Sequence, residues 1–230
     1  MIVLGGSAGG EDTFTAQELA LAGFPALALG YFKEPGLPRC LCAIPLEYFA
    51  RAAGWLRAQP VARGRPVILF GISRGAEGTL LIASYEPHLV DAVVASSPSY
   101  LINPAYGGPG PAWTFHGKAL PTWNPIPVDQ IRVPMLLSDG GQDTTWDSAE
   151  SATAIVQELQ AADDHVPRIN LYYPGAGHAF LGEPPYFPYS GYGTRGNPFG
   201  GTRQANAQAA EQSWAKMINF LNDPWARAKA

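Results

Sequence analysis

The sequence predicts an α/β fold, with a mostly parallel sheet of about six strands and helices on both faces. Three observations carry that prediction. Short apolar runs alternate with amphipathic helical stretches along the chain, the pattern of right-handed βαβ crossovers and of strands buried on both sides. The run from Val67 to Phe70 passes directly into Gly71-Ile72-Ser73-Arg74-Gly75, then into a helical stretch over Ala76 to Tyr85. With 230 residues, 47% of them apolar and 15% charged, the chain can bury the core of one large domain spanning 1–230.

Taken in order, Ile2 to Leu4 read as a first short strand running into Gly5-Gly6-Ser7-Ala8-Gly9-Gly10. Thr13 or Thr15 caps a helix whose inner face is Ala16, Leu19, Ala20 and Gly23. Pro25 to Leu29 form the next strand, and Tyr31 to Pro45 a Pro/Gly-rich loop. A helix follows with Leu46, Phe49, Ala50, Ala53 and Leu56 on one side. After the strand at Val67 and its helix, His88 to Ser96 supply another strand.

From Ser97 to Arg132 the periodicity dissolves into Pro, Gly and aromatics, which predicts a structured insertion over the top of the sheet. Pro134 to Ser138 are a strand, and Asp147 with Glu150 has capping-box spacing before a helix that turns Ala152, Ile155, Val156 and Leu159 inward. Ile169 to Tyr173 are the last strand. A second aromatic insertion, Ala179 to Arg203, precedes a closing helix with Ala210, Trp214, Met217, Ile218 and Leu221 on one stripe. The strand at Pro25 to Leu29 is expected at a sheet edge, covered by a homodimer partner or by the Tyr31–Pro45 loop.

Composition narrows the partners. The formal net charge is −4 without a basic cluster, which argues against nucleic acid and anionic membranes. No apolar run approaches the roughly 18 residues of a membrane span, and the first residues carry no export signal, so the expected compartment is cytoplasmic. Cys40 and Cys42, a lone C-x-C in a loop, read as reduced bystanders. Neither a metal site nor a cofactor is expected: the glycine-rich stretch at 5–10 has no P-loop lysine and lacks the dinucleotide spacing.

A serine between glycines at a strand-to-helix turn fits the nucleophile elbow of α/β-hydrolases, whose triad runs Ser, then Asp or Glu, then His; the alternative is an ordinary serine in a glycine-rich turn. Asp143 follows the strand at Pro134 to Ser138, and His178 follows the strand at Ile169 to Tyr173. Parallel strands bring both to the sheet edge that carries Ser73. His178 would take the Ser73 proton, and Asp143 would hold the imidazole tautomer. Asp139 reads as still in the strand, and Asp147 as a helix cap. Glu77, one turn into the elbow helix, reads as a structural hydrogen-bond partner. The oxyanion donors are expected to be the amide of Arg74 and that of Gly6 or Ser7. Trp113, Phe115 and Phe180, from the two aromatic insertions, are expected to line an apolar acyl pocket.

A longer set of motifs carries a family resemblance. Gly5-Gly6-Ser7-x-Gly9-Gly10, Tyr31-Phe32 followed by Pro35-Gly36-Leu37-Pro38, Ile44-Pro45-Leu46-Glu47-Tyr48-Phe49, Gly71-Ile72-Ser73-Arg74-Gly75-Ala76-Glu77, Gly141-Gln142-Asp143-x-x-Trp146, Tyr173-Pro174-Gly175-Ala176-Gly177-His178 and Glu183-Pro184-Pro185-Tyr186-Phe187-Pro188 occur in order. Together they resemble the C-terminal catalytic domain of acyl-CoA thioesterases and bile acid-CoA:amino acid N-acyltransferases, a dienelactone-hydrolase-like group. The resemblance implies an α/β-hydrolase fold with a nucleophile at 73, an acid at 143 and a base at 178. It also implies an acyl-serine intermediate resolved by water, since serine at 73 is like the thioesterase branch. Larger members carry an N-terminal β-sandwich domain. Measured against them, the chain is expected to begin at the third hydrolase strand and to lack the two leading ones. The expected function is hydrolysis of a small-molecule ester or thioester. The alternatives are a catalytically silent hydrolase-fold binding protein and an amidase or peptidase.

Overall fold

A computed structural model describes residues 1–161, 166–178 and 199–223. Among them a six-stranded sheet has the order β2-β1-β4-β5-β8-β9, where β1 is Ile2–Leu4, β2 Leu27–Ala28, β4 Ile68–Ile72, β5 Ala92–Ser96, β8 Met135–Gly140 and β9 Arg168–Tyr173. Every pairing is parallel. A small second sheet, β3-β6-β7, joins Ile44–Pro45, Trp113–Phe115 and Lys118–Ala119. The helices are α1 (Thr13–Leu21), α2 (Leu46–Ala58), α3 (Arg74–Tyr85), α4 (Ser148–Ala161) and α5 (Arg203–Leu221). No helix of the described residues is long and apolar enough to cross a membrane.

The continuous apolar strands follow from burial on both faces. Ile2, Leu4, Leu69, Val93, Ala95, Met135 and Leu137 point toward α2, α3 and α4. Their neighbours Val3, Ile68, Phe70, Val94, Leu136, Leu171 and Tyr173 point the other way, into a core with Leu19 of α1 and Trp214 and Met217 of α5. Successive side chains alternate faces, so a two-sided core needs an unbroken apolar run where a one-sided sheet would alternate.

Chain direction across the sheet reverses between β1 and β4: from β1 the chain steps out to β2, and from β4 it steps the other way to β5. Loops leaving the C-terminal ends of β1 and β4 therefore diverge, which opens a crevice above them.

Several local readings change. Asp12, rather than Thr13 or Thr15, caps α1, its side chain accepting from the Thr15 amide at 3.1 Å. Asp147 does cap α4, accepting from the Glu150 amide at 3.0 Å. β2 is an edge strand, but only Leu27–Ala28 pair, so the open edge is shorter than the Pro25–Leu29 run and asks less of a covering partner.

Cys40 and Cys42 are corrected from reduced thiols to a disulfide, with Cα atoms 5.2 Å apart. Leu41 between them exchanges both main-chain bonds with Tyr106, which brings the two sulfurs onto Gly108.

The segment 97–132 was expected only as a roof over the sheet. It also runs down the side of α3, contributing β6 beside α2, with β7 paired to β6. These two- and three-residue strands are too short for any alternation to announce them.

Candidate active site

Ser73 sits between β4 and α3 at φ 57°, ψ −119°, a backbone conformation that L-residues rarely adopt and that costs of order 1–3 kcal/mol. Neighbouring bonds hold it there: its N–H donates to Ser96 O at 2.9 Å, and its carbonyl accepts from the Glu77 amide at 3.1 Å. Close backbone passage dictates the flanking glycines. A methyl on Gly75 would lie 2.2 Å from Leu4 O and 2.7 Å from Gly5 O, and one on Gly71 would lie 2.2 Å from Gly75 O.

The three residues read from the motif order meet at this edge. His178 Nε2 is 2.8 Å from Ser73 Oγ, and His178 Nδ1 is 2.7 Å from Asp143 Oδ2. The other oxygen of Asp143, Oδ1, accepts from the amides of Thr145 at 2.8 Å and Trp146 at 3.2 Å, so the carboxylate is aimed by its own turn. His178 is fixed through its main chain, donating to Phe199 O at 2.6 Å, while Asn206 of α5 accepts from the preceding Gly177 amide at 2.8 Å. Ser73 and His178 are both buried. A neutral imidazole bonded in this way presents a lone pair at Nε2 to a hydroxyl proton when Nδ1–H donates to Asp143.

Two aromatic residues complete the surroundings of the imidazole and were not singled out as site residues. The rings of Trp146 and Phe199 meet His178 edge-on, with centroids 5.2 and 5.6 Å away. Trp146 Nε1 donates to Ser97 O at 3.2 Å, which ties the Asp143 turn to the end of β5. Trp146 stood within the motif around Asp143, so its three-residue spacing was the available signal; Phe199 had none.

The expected oxyanion donors lie on two segments. Arg74 is the first residue of α3, where helix amides have no partner within the helix. Gly6, after β1, is against the nucleophile: a methyl on it would lie 3.3 Å from Ser73 Cβ. Ser7 follows on the same turn, which closes with Gly9 N–H donating to Gly6 O at 3.2 Å. Among the described residues the amides of Arg74, Gly6 and Ser7 donate to no other group.

The pocket residues need correction. Trp113 is 0% exposed and belongs to the core, its ring stacked on Tyr31 at 5.9 Å and lying over Gly78 in the second turn of α3. Its indole N–H is satisfied there by Glu77 Oε1 at 2.8 Å, which explains why so large a ring goes under the helix. Phe115 packs on Tyr85, the last residue of α3, so about 17 Å of helix separates that contact from Ser73. Phe180 and most of the Ala179–Arg203 insertion lie outside the described residues. Of the other histidines, His116 pairs with Glu47 at 3.3 Å on the surface, and His165 lies outside the described residues.

One buried carboxyl near the site has no motif to explain it. Asp139, at the end of β8, is 1% exposed, and neither oxygen makes a sound hydrogen bond with a described residue. Burial pushes its pKa up to about 7; Asn170 nearby tempers the rise and the charge of Asp143 adds to it. The folded chain thus binds the proton of this carboxyl more tightly than the unfolded chain does. The resulting stability is complete below the ordinary carboxylate value and is lost as pH rises toward 7, at roughly 1.4 kcal/mol per unit. Asp139→Asn is therefore expected to melt several degrees above wild type at pH 8 and close to it at pH 4. Parallel melting curves for the two proteins across that range would contradict this account of Asp139.

The family model described as "BAAT / Acyl-CoA thioester hydrolase C terminal" matches residues 44–106 and 117–225. The chain belongs to that family. Mouse "Acyl-coenzyme A thioesterase 2, mitochondrial" is 29% identical over 96% of the chain, and human "Acyl-coenzyme A thioesterase 1" is 29% identical over 94%. Mouse "Acyl-coenzyme A amino acid N-acyltransferase 2" is 32% identical over 96%. The matches occupy 54%, 58% and 59% of those proteins, so the chain spans little more than half of their length. Among solved structures, an esterase of Pyrococcus furiosus superposes with a TM-score of 0.60 at 17% identity, covering 96% of this chain and 81% of that one. A monoacylglycerol lipase of Paleococcus ferrophilus gives 0.58 at 16% identity, over 96% and 92%. These likenesses identify the fold as that of the α/β-hydrolases.

Proposed function

We propose that the chain is a serine hydrolase that cleaves acyl thioesters or carboxylic esters through an acyl-Ser73 intermediate. The observation that carries this reading is the buried hydrogen-bonded series from Ser73 Oγ through His178 to Asp143, at 2.8 and 2.7 Å, on a strained elbow at the head of α3. In the first half-reaction His178 Nε2 accepts the hydroxyl proton as Oγ adds to the acyl carbonyl. Asp143 holds Nδ1–H and stabilises the imidazolium that forms. The amides of Arg74 and Gly6 donate to the developing oxyanion, aided by the positive end of α3. The imidazolium returns its proton to the departing thiolate or alkoxide. In the second half-reaction water, deprotonated by the same nitrogen, releases the acid.

Family membership favours a thioester over a simple ester, since the relatives above are named for acyl-coenzyme A chemistry. A panel of acyl-CoAs and p-nitrophenyl esters, matched in acyl length, tests the substrate class. Higher kcat/KM on the thioester series at every length is the expected result. A preference for the esters at every length would reduce the reading to a carboxylesterase. Labelling by a fluorophosphonate separates both from a silent binding protein, because only an activated serine reacts at a useful rate.

A further inference from the structure

Glu77, read from the sequence as a structural hydrogen-bond partner, binds four groups at once beside the elbow. Its carboxylate is fully buried. Oε1 accepts from Trp113 Nε1 at 2.8 Å and from the Asn103 amide at 2.9 Å. Oε2 accepts from Asn103 Nδ2 at 3.2 Å and pairs with Arg74 Nη1 at 2.8 Å. Arg74 also donates from Nη2 to Pro104 O at 2.9 Å, so its side chain is held on both sides.

The contacts lead in two directions, and both end at the oxyanion donors of the proposed reaction. Through the ion pair, Glu77 fixes the side chain of Arg74, the residue whose amide is one donor. Through Trp113 it fixes the ring stacked on Tyr31. The Tyr31 hydroxyl in turn donates to Gly5 O at 2.6 Å, next to Gly6, the other donor. Four bonds to one buried carboxylate leave it little freedom, so each of the groups it binds is held in one place.

We infer that Glu77 is a positioning residue that sets the oxyanion hole from both sides, through Arg74 at the elbow and through Trp113 and Tyr31 at the Gly5–Gly6 turn. It touches neither substrate nor nucleophile. Its effect should appear in transition-state binding and leave ground-state affinity almost unchanged.

The inference rests on the serine-hydrolase reading, so Ser73→Ala serves as the control. If Ser73→Ala retains turnover, the reading itself fails, whatever Glu77 does. Given an inactive Ser73→Ala, the tests are Glu77→Gln and, because removing a buried charge can prevent folding, the milder Tyr31→Phe and Trp113→Phe. Each is assayed on protein counted by fluorophosphonate titration, so that unfolded molecules do not enter the rate. The expected result is a 10- to 100-fold lower kcat for Glu77→Gln and about 5-fold for Tyr31→Phe, with KM within twofold of wild type. Affinity for a trifluoromethyl ketone, which forms a hemiketal oxyanion on Ser73, should weaken in proportion to kcat/KM across the series. Tyr31→Phe added to Glu77→Gln should cost less than the product of the two effects, since both act on one chain of contacts. Lower melting temperatures with unchanged kcat and ketone affinity would make Glu77 a structural residue only and overturn the inference. If Glu77→Gln yields no folded protein, unchanged kcat and ketone affinity in both aromatic variants would overturn it equally.

Discussion

Ser73→Ala and His178→Ala are each expected to lower turnover of the best ester or thioester substrate by about 10³-fold or more, with the melting temperature almost unchanged. The size follows from the way the three groups act together: without the base the hydroxyl is a poor nucleophile, and without the hydroxyl the base has nothing to activate. The double variant should fall little below either single one. Asp143→Asn should also lose most activity, because an amide facing His178 Nδ1 favours the wrong tautomer. Its turn should survive, since the Oδ1 that accepts from Thr145 and Trp146 has a counterpart in asparagine. Steady-state rates on purified protein, counted by absorbance and shown to be folded by thermal melts, check all four. Wild-type rates in Asp143→Asn, with activity lost in Asp139→Asn, would move the acid to the other carboxyl.

The largest expected effect on folding is that of Gly75→Ala. The added methyl would lie 2.2 Å from Leu4 O and 2.7 Å from Gly5 O, and both are backbone atoms that no rotamer change can move aside. Either α3 lifts from the sheet or β1 leaves its place beside β4, where Leu4 is in register with Gly71. Overpacking a core costs about 1–3 kcal/mol where side chains can yield, and more is expected where only backbone can. Against a total stability of roughly 5–15 kcal/mol, that loss leaves little folded protein. Gly54→Ala is the control: it lies within α2 with nothing near the added methyl, and should gain up to about 1 kcal/mol, a rise of roughly 2–4 °C. Expression and thermal melts compare the two, and a Gly75→Ala protein melting with wild type would remove close helix–strand passage as the reason for the motif.

How much of this was legible depended on the range of the interaction. The strands of the large sheet could be read because a two-sided core demands unbroken apolar runs, and the order of Ser73, Asp143 and His178 could be read because each follows such a run. Parallel strands then did the rest, bringing together residues up to 105 apart in sequence. The positions of the aromatics could not be read. Trp113 looks the same in sequence whether its ring lines a pocket or lies under α3, and its destination is decided by Glu77 and Tyr31, both distant in the chain. Asp12 caps α1 in place of the expected threonines because its carboxylate accepts from both the amide and the hydroxyl of Thr15, a choice that the threonines beside it mask in the sequence. β3, β6 and β7 are too short to impose a period, and the Cys40–Cys42 pairing depends on a bridge between Leu41 and Tyr106.

The central claim is that Ser73 carries the acyl group during turnover. Rapid-quench mass spectrometry of the enzyme mixed with a reactive acyl substrate tests it directly. The account predicts an adduct of the acyl mass on the peptide containing Ser73, formed as fast as the first turnover and absent from Ser73→Ala. Turnover without that adduct, or an adduct on another residue that persists in Ser73→Ala, would contradict it.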